Sequence, residues 1–338
     1  MIPFRTRQAL LRLFTSLLII AMILVIVFFC WAMWLKRFVV YTRDGAVLDF
    51  SVNPEFPEIL PTETPNPTPT INIIYDPDTP TPPVDTNALT QLSGYHVTEA
   101  MLQGNIAAIS QQIQQLPAGT PIMLDVKSIR GDFLYNSQLG YLSENVDREQ
   151  LGTMISTLHN QGYYLIARLP AFRDYWFGLN NVSNGLFVAN QQYLWMDEDR
   201  CYWLNPTTEG TQNYLLQIVA ELKALGFNEV LFYDFSIPDT DRIYFPDDRA
   251  ATIAQAAANL VKACATDTFA ISFTGKDAAF PLPEGRTRLY FEGVAAADAA
   301  ALAAQLQLEN PAVRLVFLTN LMDTRFDSYG VMRPLPTE

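Results

Sequence analysis

From about residue 88 the chain alternates short apolar runs with stretches of helical period. The runs Gly94–Val97, Ile122–Val126, Tyr163–Leu169, Glu229–Phe235, Phe269–Phe273, Arg288–Phe291 and Arg314–Leu318 read as strands, and Tyr329–Met332 is the candidate for an eighth. Between them, Thr211–Leu225 carries Tyr214, Leu215, Ile218, Val219, Leu222 and Leu225 on one stripe, closed by Gly226. Glu99–Gln115, Arg148–Asn160, Arg249–Cys264 and the Ala-rich Val294–Leu308 read as further helices. Near-continuous apolar strands joined by helices imply a parallel sheet buried on both faces. Some 250 residues with this repeat suit a (β/α)8 TIM-type barrel. No glycine-rich phosphate loop follows any strand, which disfavours a nucleotide-binding open sheet.

Ahead of this region the pattern differs. Residues 1–12 form a short basic tail, and 13–35 carry no charge, long enough as a helix to cross a bilayer core. A cleaved signal sequence has an apolar region of only about 7–15 residues, so an uncleaved transmembrane anchor is expected. Residues 36–52 make a juxtamembrane segment, with hairpin-like alternation around Asp44-Gly45. Residues 53–87 hold ten prolines and seven threonines; proline fixes φ and removes an amide donor, so an extended linker is expected before the domain at 88–338. Arginines and lysines flank the apolar segment almost equally. The Pro/Thr tract, suited to an extracytoplasmic stalk, therefore sets the expected orientation: a single-pass protein of the cell membrane with its C-terminal domain outside.

Composition removes several function classes. A net charge of −13, from 22 basic and 35 acidic residues, leaves no basic face for nucleic acid. Two histidines, His96 and His159, are too few for a His-built metal site, and no cofactor is expected. Three cysteines lack CxxC spacing; Cys201 and Cys264 are expected as free thiols or, if adjacent, as a disulfide.

Barrel chemistry sits at the C-terminal ends of the strands. Those positions hold Asp125, Lys127, Arg168, Asp174, Asp234 and Glu292. Asp125 and Lys127, two apart, are expected to share a strand face and have the spacing of a pair, either facing a ligand or as a structural ion pair at the barrel mouth. Nine aromatic residues crowd between Phe172 and Trp203, including Trp176 and Trp203. Aromatic rings beside carboxylates and amides suit a sugar, or form a small core beneath a long loop.

The segments PIMLDVKSIRGDFLYNS, GYYLIARLPAFRDYW, CYWLNPTTEG and GFNEVLFYDFSIP, in this order and spacing, resemble the glycosyl hydrolase-like barrel domain of bacterial surface proteins. The resemblance runs from about Ser93 to Pro238. It carries the family's Asp-Val-Lys onto Asp125-Val126-Lys127, its Ala-Arg onto Ala167-Arg168, its Phe-x-Asp onto Phe172 and Asp174, and its Trp-x-Asn-Pro onto Trp203, Asn205 and Pro206. Strand four departs from the pattern. Where the family reads Phe-Asp-Tyr-x-Arg-Phe-Pro, this chain reads Phe232-Tyr233-Asp234-Phe235-Ser236-Ile237-Pro238. A one-residue shift turns a carboxylate to the opposite face unless a bulge re-aims it. Ser128 replaces an acidic residue, and Tyr290-Phe291-Glu292-Gly293 stands where the family has a tyrosine-proline segment.

Together with the anchor expected from residues 13–35, the resemblance implies a membrane-anchored glycoside hydrolase-like protein acting on cell-envelope or extracellular polysaccharide. Asp234 and Glu292 are the expected carboxylate pair, with Glu292 as acid and Asp234 as nucleophile or base. Asp125, Lys127, Arg168, Asp174, Trp176, Trp203, Asn205 and Tyr233 are expected around the sugar. The alternatives are a catalytically silent carbohydrate-binding barrel and an interaction module of the envelope.

Overall fold

The structure, a computed structural model, describes residues 88–336, the backbone of two short strands and Met22. The expected anchor (13–35, apart from Met22) and linker (53–87) lie outside the described residues. No helix among the described residues is long and apolar enough to cross a membrane. The chain divides into two units, Met1–Pro80 and Thr81–Glu338. In the first, Val39–Thr42 pairs antiparallel with Gly45–Leu48, where the sequence predicts a hairpin.

The second unit is a closed parallel barrel of eight strands: β1 Ser93–Val97, β2 Pro121–Asp125, β3 Tyr164–Pro170, β4 Glu229–Tyr233, β5 Ala270–Thr274, β6 Leu289–Glu292, β7 Leu315–Leu318 and β8 Gly330–Pro334. β8 closes the cylinder by pairing with both β7 and β1, so the Tyr329–Met332 candidate is a barrel strand shifted slightly along the chain. The outer helices include α1 Ile106–Gln114, α2 Arg148–Asn160, α3 Glu209–Ala224, α4 Arg249–Cys264 and α5 Ala299–Leu306. Asp147, Thr208 and Asp248 begin α2, α3 and α4 by accepting the amides of Gln150, Thr211 and Ala251, donors the first turn otherwise leaves unpaired.

The period of two along each strand sorts side chains into an outward set under the helices and an inward set. Outward, Leu124, Leu165, Phe232, Phe273 and Phe317 join the helices in the main core. Inward, Leu92, Met123, Ile166, Leu231, Tyr290, Val316 and Met332 form a separate apolar plug. Two residues earlier on β3 and β4, and just ahead of β6, Tyr164, Glu229 and Arg288 make a sealed polar floor. There Glu229 accepts from Arg288, Tyr164 and Tyr290, and Arg288 also donates to the Thr90 carbonyl. Two residues later come Asp125, Arg168, Tyr233 and Glu292, at the mouth. The apolar plug lies between the two polar layers.

Several element ends lie one or two residues from the sequence pattern, and three departures matter more. The Glu99–Gln115 helix is two, Glu99–Leu102 and α1, because Asn105 leaves helical geometry and caps α1 by accepting the Ala108 amide. β4 stops at Tyr233 because Asp234 adopts φ +50°, which ends an extended strand. The Ala-rich helix starts at Ala299, not Val294.

Candidate functional site

The mouth is organised around Arg168. One guanidinium nitrogen lies 3.0 Å from Asp125 Oδ1, and another lies 2.7 Å from Glu292 Oε1. The guanidinium also stacks over the ring of Tyr233, 4.1 Å from its centroid. Asp125 is itself fixed, with His96 Nε2 at 2.9 Å and the Glu99 amide donating to its second oxygen at 2.9 Å. Burial opposes ionisation of Asp125, but the His96 hydrogen bond and the charges of His96 and Arg168 outweigh it and hold the carboxyl below its ordinary range. Glu99, by contrast, is pushed up by burial and by the nearby Asp125 and Asp132.

Arg168, Tyr233, Asp234, Lys276 and Glu292 line one open cleft of about 630 Å³, walled on its apolar side by Phe235, Ile253 and Phe280. Asp234 reaches it by the left-handed turn rather than by strand alternation. Tyr233 takes the inward position on β4, and the positive φ of Asp234 swings the next side chain to the same opening. Left-handed backbone is uncommon for residues other than glycine, though aspartate and asparagine tolerate it best. Burial raises the Asp234 carboxyl above its ordinary range, against the opposing charges of Arg173, Lys276 and Arg168.

Several residues expected around the sugar turn inward instead. Lys127 does not pair with Asp125. It lies beyond the end of β2, fully buried, with its ammonium 2.7 Å from Asp174 Oδ2. Asp174 also accepts the Tyr214 hydroxyl at 2.9 Å and the Phe177 amide at 2.8 Å, capping the short helix Tyr175–Asn180. Gly131 is required beside it, since a Cβ there would lie 2.1 Å from Asp174 Oδ1. Trp203 is only 6% exposed, and its indole donates to Asp197 at 2.8 Å, so its ring belongs to the packing beneath the loop. Asn205 turns its carbonyl back on the Thr207 amide and hydroxyl ahead of α3. Trp176 is half-buried, donates to Asp132 at 3.0 Å, and stacks on the exposed Tyr141 at 4.4 Å between centroids. Cys201 and Cys264 are free thiols.

His96, Arg173 and Lys276 belong to this neighbourhood although the sequence reading passed over them. His96 on β1 and Lys276, two residues past β5, follow the same strand-end rule that selects Asp125 and Glu292. Arg173 had no such signal, because its contacts come from a loop that returns from residues 197–203. A larger depression, about 1200 Å³, lies near Lys262, Arg286 and Arg314 at the N-terminal ends of the strands. That end of such barrels carries stability rather than chemistry, so the smaller cleft is the candidate site.

The barrel is similar to that of the α-galactosidase from Lactobacillus brevis, at 9% identity over 74% of this chain and 38% of that one, with a TM-score of 0.50. It also aligns with the glycoside hydrolase domain of PelA from Pseudomonas aeruginosa (14% identity, 73% of this chain, 95% of that one, TM-score 0.45). Ega3 from Aspergillus fumigatus, solved in complex with galactosamine, aligns at 10% identity over 74% and 93% of the two chains, with a TM-score of 0.45. No curated protein matches the sequence. At such identities the likeness of structures speaks for the fold alone. The sequence of residues 95–268, however, matches the model of the family described as "Putative glycosyl hydrolase domain", and the match spans more than half of the chain. The chain belongs to that glycosyl hydrolase domain family.

Proposed function

We propose that the protein is a membrane-anchored, extracytoplasmic glycoside hydrolase that cuts an envelope or extracellular polysaccharide in the cleft between Asp234 and Glu292. The observation that carries this reading is the presence of these two carboxylates on one cleft in different electrostatic settings. Asp234 is raised by burial, which suits a carboxylic acid that donates its proton to the departing glycosidic oxygen. Glu292 is ion-paired with Arg168, which suits the basic partner of the pair. This is the reverse of the division of roles expected from the sequence. As the bond from the anomeric carbon to the leaving oxygen breaks, the Asp234 proton goes to that oxygen. Glu292 faces the positive charge that develops; a water then adds its oxygen to the anomeric carbon and gives its proton to a carboxylate of the pair, which completes the sugar product. Phe280 offers an apolar wall for a sugar's C–H face. The uncharged segment 13–35 and the Pro/Thr linker support a tethered enzyme whose substrate lies at the cell surface.

A second reading, a silent carbohydrate-binding barrel, is favoured by Tyr233, which takes the inward position where the resembled family has its acid. The test is release of reducing ends from envelope polysaccharides by the full chain in detergent. Turnover by the wild type that is abolished in both Asp234→Asn and Glu292→Gln supports the enzyme. Retention on the polysaccharide with no product supports the binding barrel, and neither behaviour sinks both.

A further inference from the structure

We propose that Arg173 is a positioning residue, which holds the Asp234 carboxylate over the cleft while being clamped itself by two carboxylates of the aromatic loop. The inference rests on the reading of Asp234 as the proton donor, and adds the device that sets its behaviour.

The geometry is a three-armed guanidinium. Arg173 Nε lies 2.6 Å from Asp197 Oδ2, Nη2 is ion-paired with Asp199, and Nη1 lies 3.7 Å from Asp234 Oδ2. The clamp is firmly built. Asp197 also accepts from the Cys201 amide at 2.9 Å and from the Trp203 indole at 2.8 Å. Arg200, at φ +60°, turns the loop so that Asp197 and Cys201 pair through their backbones as well. Arg173 in turn forms a bridge with Trp203. Two short arms thus fix the guanidinium to the loop, and the longest is left for Asp234.

That arrangement makes the charge felt by Asp234 adjustable. A guanidinium shared among three carboxylates is partly neutralised by two of them, so it lowers the proton affinity of Asp234 less than an undivided arginine would. The other charged groups facing Asp234 are Lys276 beyond β5, Arg168 on β3 and Asp197 on the loop, with Glu292, Asp239, Asp277 and Arg249 on the cleft wall and the Tyr233 phenol beside it. Arg173 ties the Asp234 carboxyl directly to the aromatic loop. A glycan that displaced the loop would therefore alter the proton affinity of the donor.

The test is titration of the Asp234 side-chain carboxyl by carbon NMR in the full chain, the resonance being assigned by its loss in Asp234→Asn. Arg173→Gln should move the midpoint upward by about one pH unit, the usual size for loss of a neighbouring opposite charge. Asp199→Asn, which frees part of the guanidinium, should move it downward, and Arg173→Lys should restore part of the shift. The pH profile of polysaccharide cleavage should follow in the same directions. A midpoint unmoved by Arg173→Gln in folded protein, or moved the same way by Arg173→Gln and Asp199→Asn, overturns the proposal. If Arg173→Gln fails to fold, the pair Arg173→Lys and Asp199→Asn decides by the same signs. Opposite shifts in a protein that cleaves no polysaccharide would support the clamp while sinking the enzyme reading.

Discussion

The Arg168 guanidinium lies over the ring of Tyr233, 4.1 Å from its centroid, while one of its nitrogens holds Glu292 at 2.7 Å. The tyrosine that stands at the family's acidic position thus shapes the mouth: it is the surface on which the arginine that carries Glu292 rests. Tyr233→Phe keeps that surface and should leave stability within about 1 kcal/mol and polysaccharide turnover nearly unchanged. Tyr233→Ala removes a cation–π contact of roughly 0.5–2 kcal/mol and frees Arg168, and turnover should fall about tenfold. Initial-rate measurements on the two variants check this, and equal losses would show that the hydroxyl, not the ring, matters.

Asp234→Asn should stabilise the protein at neutral pH while ending turnover. Its carboxyl is raised in the folded state, so its favourable share is complete below the unfolded value near 4 and is lost as pH rises through the higher folded value, above which the buried carboxylate opposes folding. Asparagine removes the buried charge and is at ease at φ +50°. A gain of about 0.5–1 kcal/mol is expected at neutral pH, shrinking as the pH falls through the carboxyl range. Urea unfolding across that range measures it; destabilisation at neutral pH would count against a strained functional carboxylate.

The barrel was legible because both strand faces are apolar. Runs such as Ile122–Val126 and Glu229–Phe235 have no alternation to hide them, and α4 runs over the predicted Arg249–Cys264. Asp125, Arg168 and Glu292 could be read as mouth residues from strand ends alone. Two things were not legible. Asp125 and Lys127 have the spacing of a pair, but β2 ends at Asp125 and the chain turns, so Lys127 finds Asp174 instead. Asp234 reads as misdirected by one position until a backbone torsion is known, and no residue type announces φ +50° at an aspartate. Trp203 and Trp176 sit in the same aromatic crowd, and only the tertiary contacts tell the buried ring from the half-exposed one.

Lys127 and Asp174 make a stability prediction, because both are fully buried and 2.7 Å apart. Removing one partner leaves an uncompensated charge in the interior, so Lys127→Met should cost about 3–5 kcal/mol. Asp174→Ala should cost at least as much, since Asp174 also caps the helix Tyr175–Asn180 and accepts the Tyr214 hydroxyl. Chemical denaturation reads both. A loss of polysaccharide turnover at full stability would instead return these residues to the substrate.

The alkaline limit of stability should be set by tyrosines. Tyr135, Tyr164, Tyr214, Tyr233 and Tyr290 are all raised above the ordinary phenol range, in each case chiefly by burial. Carboxylates add to the effect through hydrogen bonds: Glu221 accepts from Tyr135, Glu229 from Tyr164 and Tyr290, and Asp174 from Tyr214. The folded chain keeps these phenols neutral while the unfolded chain ionises them near pH 10, so their contribution is complete below about pH 10 and is lost as pH rises above it. Each tyrosine then lowers unfolding free energy by about 1.4 kcal/mol per pH unit, roughly 7 kcal/mol per unit for the five together. Against a total stability on the order of 5–15 kcal/mol, this predicts cooperative alkaline unfolding within one to two units above pH 10. Phenolate absorbance and circular dichroism followed together should change in one step. Phenolate from these five residues appearing while the circular dichroism stays native would show that the phenols ionise in the folded barrel, and would remove burial as the cause.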